Sequence, residues 1–287
     1  MPAVLVIARL TVQEAARRRL LLALVVLTLI VVGFSAWGFQ KITTVTRSDG
    51  SALPAVEIAT ITSQLLIVVT FMFSGVLALS AAVVAGPLIS SEVESGLLLS
   101  MLARPLRRSE VVIGKWLGLG VLVGIYAAGS AFLELTAVDW ATGYLPPHPV
   151  DLVLYVGAEG LVLLSLGLLL STRLSGITGG VIALVAWLMG WIGGVVGNIG
   201  VGLQNQAVEN VGVISHLVLP SDGLWRGAIY AMEPDTLLAT MRQAGTVGRA
   251  NPFAAIDPPP FSYLAWVVVW FGLMLALAIW SFRTREI

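Results

Sequence analysis

Few residues in this chain could do chemistry, and most of them sit in one polar stretch, Ser90 to Lys115, SSEVESGLLLSMLARPLRRSEVVIGK. Glu92 and Glu94 stand two apart, followed by Pro105, the Arg107-Arg108 pair and Gly114-Lys115. Elsewhere Glu159 lies alone in an apolar run, and His148 and His216 are the two histidines. A Gly-Lys pair could close a phosphate-binding loop, but residue 109, five before Gly114, is serine, and Trp116 rather than Ser or Thr follows Lys115. Gly114-Lys115 is therefore no nucleotide loop. The histidines have no third ligand at a known metal spacing, which favours a surface role. The absence of cysteine excludes disulfides, thiolate metal sites and a catalytic thiol. No His-Glu-x-x-His, Gly-x-Ser-x-Gly or pair of helical aspartates supports an intramembrane hydrolase. The sequence thus points to no catalytic residue, no metal site and no cofactor held by the chain itself.

What remains is position, and composition says where. The chain is 57% hydrophobic and 11% charged, against about 25% charged for a soluble domain, so it belongs in a bilayer. Its net charge of zero argues for no nucleic-acid partner. The expected fold is all-α, with six transmembrane helices over 20–39, 60–86, 111–138, 152–171, 177–198 and 262–282. The polar segment 199–261 cannot cross as a helix and is expected as an outer loop with short helices. Within it Ser221 to Met232 reads as a capped amphipathic helix lying on the outer membrane surface.

Residues 1–19 read as an amphipathic elbow helix, with Leu5, Ala8, Val12, Ala15 and Ala16 on its apolar side. The apolar run after it is too long for a signal-peptide core and is expected to be retained. Basic residues set the orientation. With the N-terminus inside, the cytoplasmic segments hold Arg9, Arg17, Arg18, Arg19, Arg104, Arg107, Arg108, Lys115, Arg173, Arg283 and Arg285, while Lys41, Arg47, Arg226, Arg242 and Arg249 lie outside. Both termini are expected in the cytoplasm.

The polar stretch is then a cytoplasmic segment between the second and third spans. Ser91 and Glu94 match a capping box, and Glu92 adds negative charge to the first turn. The expected helix, 90–103, ends before Pro105, whose ring disfavours helical geometry in the residue before it. On composition alone this could be a charged loop that merely sets topology.

The pattern Glu92-Val-Glu94-Ser-Gly96-Leu97, then Pro105, Arg108 and Gly114-Lys115, resembles the loop after the second span in ABC-2 type transporter permeases. The start, Ile7-Ala8-Arg9 through Glu14 to the arginine cluster, is similar to that family's elbow. Pro220-Ser-Asp222 to Glu233-Pro234 resembles a segment of the NosY-like subgroup, the permease of copper-enzyme maturation. Leu97 departs from the Ser or Thr that often follows the glycine, and the chain has no large outer domain. The resemblance implies a coupling helix that docks on a separate ATPase, with Glu92, Glu94, Gly96, Leu97, Pro105, Arg108 and Lys115 as the ATPase-coupling residues. It further implies two copies of a cytoplasmic ABC ATPase carrying ATP and Mg, a homodimer of this chain, and residence in a prokaryotic inner membrane. The rival reading is a membrane scaffold or channel without an ATPase partner.

Glu159 is costly within a span, so it is a candidate contact on the substrate path; the alternative is that it is protonated or snorkels to the interface. Glu134 and Asp139 fit the outer interface of the third span. The glycines of the fifth span, Gly179, Gly180, Gly190, Gly193, Gly194 and Gly197, suit close helix packing, including dimer contacts, or bending.

Overall fold

The computed structural model describes residues 3–16, 19–47, 50–94, 107–251 and 253–285. They form helices α1 (Ala3–Ala16), α2 (Arg19–Ile42), α3 (Ala55–Ala85), α4 (Pro87–Glu94), α5 (Arg108–Thr142) and α6 (Pro149–Ser171). Then follow α7 (Gly176–Gly202), α8 (Gln206–Val218), α9 (Ser221–Met232), α10 (Asp235–Gln243), α11 (Thr246–Arg249) and α12 (Phe261–Arg283). Among the described residues the sole extended pairing is one bridge between Thr46 and Ala52. The architecture is all-α, and six helices are long and apolar enough to cross a membrane: α2, α3, α5, α6, α7 and α12. Each contains the span expected for it, except that α3 stops one residue short, at Ala85. The helices run alternately from the face carrying both chain ends, here the terminal face, to the opposite, distal face.

α6 is the central post. More than half of its most apolar window is buried, 56% against 22% for α2 and α12, and it packs against α3, α5, α7, α9 and α12. Leu152, Val156, Val162, Leu163, Leu164 and Leu168 supply the buried surface. At 35 residues α5 is about 52 Å long and overshoots a hydrocarbon layer of about 30 Å. A left-handed Gly143 caps its distal end, donating to the Asp139 carbonyl.

The N-terminal helix buries a face shifted from the expected one, with Ala15 common to both. Ile7, Thr11 and Ala15 are buried, whereas Leu5 and Ala16 are exposed. The cause is its partner: a Cβ on Gly114 would sit 2.8 Å from Ile7, and one on Gly118 would sit 2.6 Å from the Ala8 carbonyl. These two glycines form a groove in α5 that seats α1 backbone to backbone.

The larger correction concerns α9. Ser221 to Met232 does not lie on a surface; Leu224, Trp225, Ala228, Ile229 and Met232 are all buried. α8 and α9 form a hairpin that folds back along the distal half of α7. The α7 glycines explain this, since a Cβ on Gly197 would lie 2.7 Å from Gly212 and one on Gly193 would overlap Ser215 at about 2.6 Å. Gly190 faces Leu219 and Ser221, so the hairpin turn lies beside residue 190, about 18 Å below the distal end of α7. Gly190, Gly193, Gly194 and Gly197 therefore serve packing within one chain.

Candidate functional site

At the terminal face the chain leaves α3 at Gly86 and starts α4 with Pro87 in its first turn, a position that suits proline. Ser91 is thus inside a helix already under way, and the capping box expected there is not the start of one. Pro87 packs on Gly176 at the head of α7, where a Cβ would lie 2.8 Å away. Ile89 is fully buried with Ile7, Val111, Val112, Leu168, Ala278 and Phe282. Glu92 and Glu94 occupy the last turn of α4; their side chains lie outside the described residues, as do Gly96, Leu97 and Pro105.

Arg108 and Lys115 are described, and both turn inward. Lys115 is 4% exposed and donates from Nζ to the Leu88 carbonyl at 2.7 Å, tying α5 to α4. Arg108 Nη1 donates to the carbonyls of Phe282 and Arg285, each at 2.8 Å, and of Arg283 at 3.1 Å, with its guanidinium over the Phe282 ring. A cation on the last carbonyls of a helix answers both their missing partners and the negative end of the helix dipole. Glu110 reaches back to the Arg107 N–H at 2.9 Å and fixes the start of α5.

Glu159 is 1% exposed in the core between three helices. Its Oε1 accepts from Ser74 of α3 at 2.6 Å and from Trp187 of α7 at 3.0 Å, while Oε2 has no hydrogen-bond partner. Trp187, Trp191 and Trp225 surround Phe71, with ring centroids 5.8, 5.2 and 5.4 Å away. The carboxyl does not snorkel; it is a junction of α3, α6 and α7 behind an aromatic wall. Glu134 is likewise inside rather than at an interface: it is 2% exposed and accepts from Ser35 of α2 at 2.9 Å. Asp139 is exposed, as expected.

In the distal hairpin Asp222, a candidate cap by sequence, and His216, a candidate surface residue, instead join Arg226 in one cluster. Asp222, 2% exposed at the side chain, accepts on Oδ2 from Arg226 at 3.1 Å and shares a 2.7 Å hydrogen bond with His216. Arg226 also donates to the Gly194 carbonyl at 3.2 Å, and Gly194 has no room for a Cβ beside Asp222. His216, Arg226, Asp257, Tyr263 and three prolines line an open cleft of about 360 Å³. Glu233, at the C-terminal cap of α9, is fully buried with neither carboxyl oxygen hydrogen-bonded. Burial pushes this carboxyl up to about 7, while the Ala255 amide and the Gln64 side chain stand near enough to pull it down without closing bonds of ordinary geometry. Nearby Tyr144 donates to the Met232 carbonyl at 2.6 Å; burial and the charges of Glu233 and Asp235 push its phenol up. One signal for the hairpin was present in the sequence: small residues at a spacing of three or four on both α7 and α8, Gly190, Gly193 and Gly197 against Gly212 and Ser215.

The model of the ABC-2 family transporter protein matches residues 5–287, almost the whole chain. The chain belongs to the ABC-2 transporter family. As an ABC-2 permease with six apolar helices it is a multi-pass membrane protein and a transport subunit. Comparison with curated proteins finds no match. In this permease the resemblance of the loop after the second span, of the N-terminal elbow and of the six-span layout all fall within the matched region.

Proposed function

We propose that this ABC-2 permease dimerises with a second copy and couples ATP hydrolysis by two copies of a separate cytoplasmic ABC ATPase to export of a substrate. The terminal face is then the cytoplasmic face of a prokaryotic inner membrane, and the distal face is the outer one. ATP and Mg are held by the ATPase, and this chain holds no nucleotide loop. Its residues do mechanical work. Glu92, Glu94, Gly96, Leu97 and Pro105 form the docking segment, and rigid-body motion there is passed to the spans.

The observation that carries this reading is the attachment of α4. Pro87 on Gly176, Lys115 on the Leu88 carbonyl and Ile89 in the core seat the start of the docking segment against α5, α6, α7 and α12 together. A loop that merely set topology needs no such seat. Arg108 and Lys115 serve the coupling from inside, as positioning residues rather than as contacts with the ATPase. Glu159 is proposed to shape the substrate path from behind, by fixing Trp187 and thereby the aromatic wall it shares with Phe71 and Trp191.

The test is purification of a tagged chain from its own membranes. A co-purifying ATPase with a phosphate-binding loop, lost when Glu92→Lys or Glu94→Lys is introduced, supports the reading. A chain that retains its fold, brings down no such ATPase and is indifferent to both substitutions is the scaffold or channel instead.

A further inference from the structure

α12 is hydrogen-bonded at one end to the helix and turn that flank the docking segment, and at the other to the distal hairpin, the two regions that a transport cycle would have to link. At its terminal end Arg108 donates to the Phe282, Arg283 and Arg285 carbonyls. Arg173, in the turn between α6 and α7, donates from Nε to Ser281 at 3.1 Å and also bonds Thr284. Arg285 returns a bond to the Thr172 carbonyl at 2.7 Å. Phe282 is fully buried against the cluster that contains Ile89 of α4, so the end of α12 and the root of the docking segment are packed as one body.

At its distal end three aromatic side chains of α12 hold the turn of the α8–α9 hairpin. Tyr263 donates to the Pro220 carbonyl at 2.9 Å, Trp266 to Leu217 at 3.2 Å and Trp270 to Val218 at 3.0 Å. The Leu217 and Val218 carbonyls end α8 and would otherwise lack partners, while the Pro220 carbonyl in the turn also accepts from the Leu224 N–H at 3.4 Å. The backbone at Gly223 lies so close to the Tyr263 ring that no Cβ fits there. Between the two ends run 23 helical residues, about 35 Å, without a proline.

We infer that α12 is a transmission rod: displacement of the docking segment is passed through Arg108 and Phe282 to α12, and by its tyrosine and tryptophans to the distal hairpin. The inference rests on the proposed permease function for what moves the docking segment. Spatial continuity is the structural warrant, and demonstrated coupling between the ends is what it requires.

A chain free of cysteine makes the measurement clean. Leu219→Cys places one thiol at the hairpin turn, where the wild-type side chain is 4% exposed. The permease carrying it, in complex with its ATPase in nanodiscs, is treated with a hydrophilic maleimide with and without ATP. The rod predicts that ATP changes the labelling rate at least tenfold. It predicts that Arg108→Ala removes that change while ATPase capture and hydrolysis continue. Arg108→Lys, which keeps a cation with three N–H donors on one nitrogen, should restore at least part of it, and exposed Arg107→Ala should leave it whole. A full ATP response in Arg108→Ala, or loss of ATPase capture by that variant, overturns the rod and leaves the permease reading standing. Failure of the unsubstituted permease to capture any ATPase overturns both.

Discussion

Ser74 on α3 donates a 2.6 Å hydrogen bond to Glu159 on α6, and the same carboxyl oxygen accepts from Trp187 on α7. Three spans therefore meet on one oxygen, in a core where each of the two donors would otherwise lack a partner. Glu159→Gln keeps an acceptor in place and should leave assembly, thermal stability and, with the Trp187 wall still held, transport near wild type. Glu159→Leu strands both donors, at about 1–3 kcal/mol for each buried group left unsatisfied. The thermal midpoint of the purified protein separates the two variants, and altered transport in a stable Glu159→Gln would put the carboxyl itself, rather than the wall it holds, on the substrate path.

The distal hairpin depends on missing side chains. Gly197→Val would push a branched side chain into Gly212 of α8, whose backbone lies 2.7 Å from even a Cβ. We expect a loss of about 1–3 kcal/mol or displacement of the hairpin. Gly33→Val on α2, with nothing within 4 Å of its Cβ position, should be silent. Protease sensitivity of the segment 203–260, compared between the two, reads the difference directly.

Glu233 predicts a pH dependence of known sign. Its carboxyl is raised to about 7 by burial, above an ordinary value of about 4.3 in the unfolded chain. The folded state therefore binds the proton more tightly, and its contribution is complete below the unfolded value. It is lost as pH rises from about 4.3 to about 7, by roughly 4 kcal/mol in all for a shift of this size. Glu233→Gln, neutral throughout, should flatten the stability profile between pH 4.5 and about 7.5. Identical profiles for wild type and variant would remove Glu233 as the cause.

Much of the fold was legible before any coordinates, because its strongest determinant is local. An uncharged run of about 20 residues can satisfy its backbone in a membrane only as a helix, so α2, α3, α5, α6, α7 and α12 could be placed to within a few residues. Partnership was harder to read. Val4 to Ala16 has two plausible faces, and the groove of Gly114 and Gly118, a hundred residues away, selects the one with Ile7 and Thr11. Polarity also misled for Ser221 to Met232: Asp222 and Arg226 suggested a surface helix, yet they partner each other, His216 and the Gly194 carbonyl, which lets the helix be buried. Arg108, an ATPase-coupling residue by the family resemblance, has carbonyls of its own chain as its described partners, which no spacing in the sequence shows.

The central claim is that a separate ATPase drives this chain through the segment after α3. The measurement that tests it most directly is ATP hydrolysis by the tagged chain purified from its native membrane and placed in nanodiscs, compared with the Glu92→Lys variant prepared in the same way. The account predicts hydrolysis that co-elutes with the wild-type permease, is abolished by mutating the phosphate-loop lysine of the partner, and falls at least tenfold in Glu92→Lys with the permease still folded. Absence of ATP hydrolysis in a folded wild-type preparation, or full hydrolysis in Glu92→Lys, would contradict it.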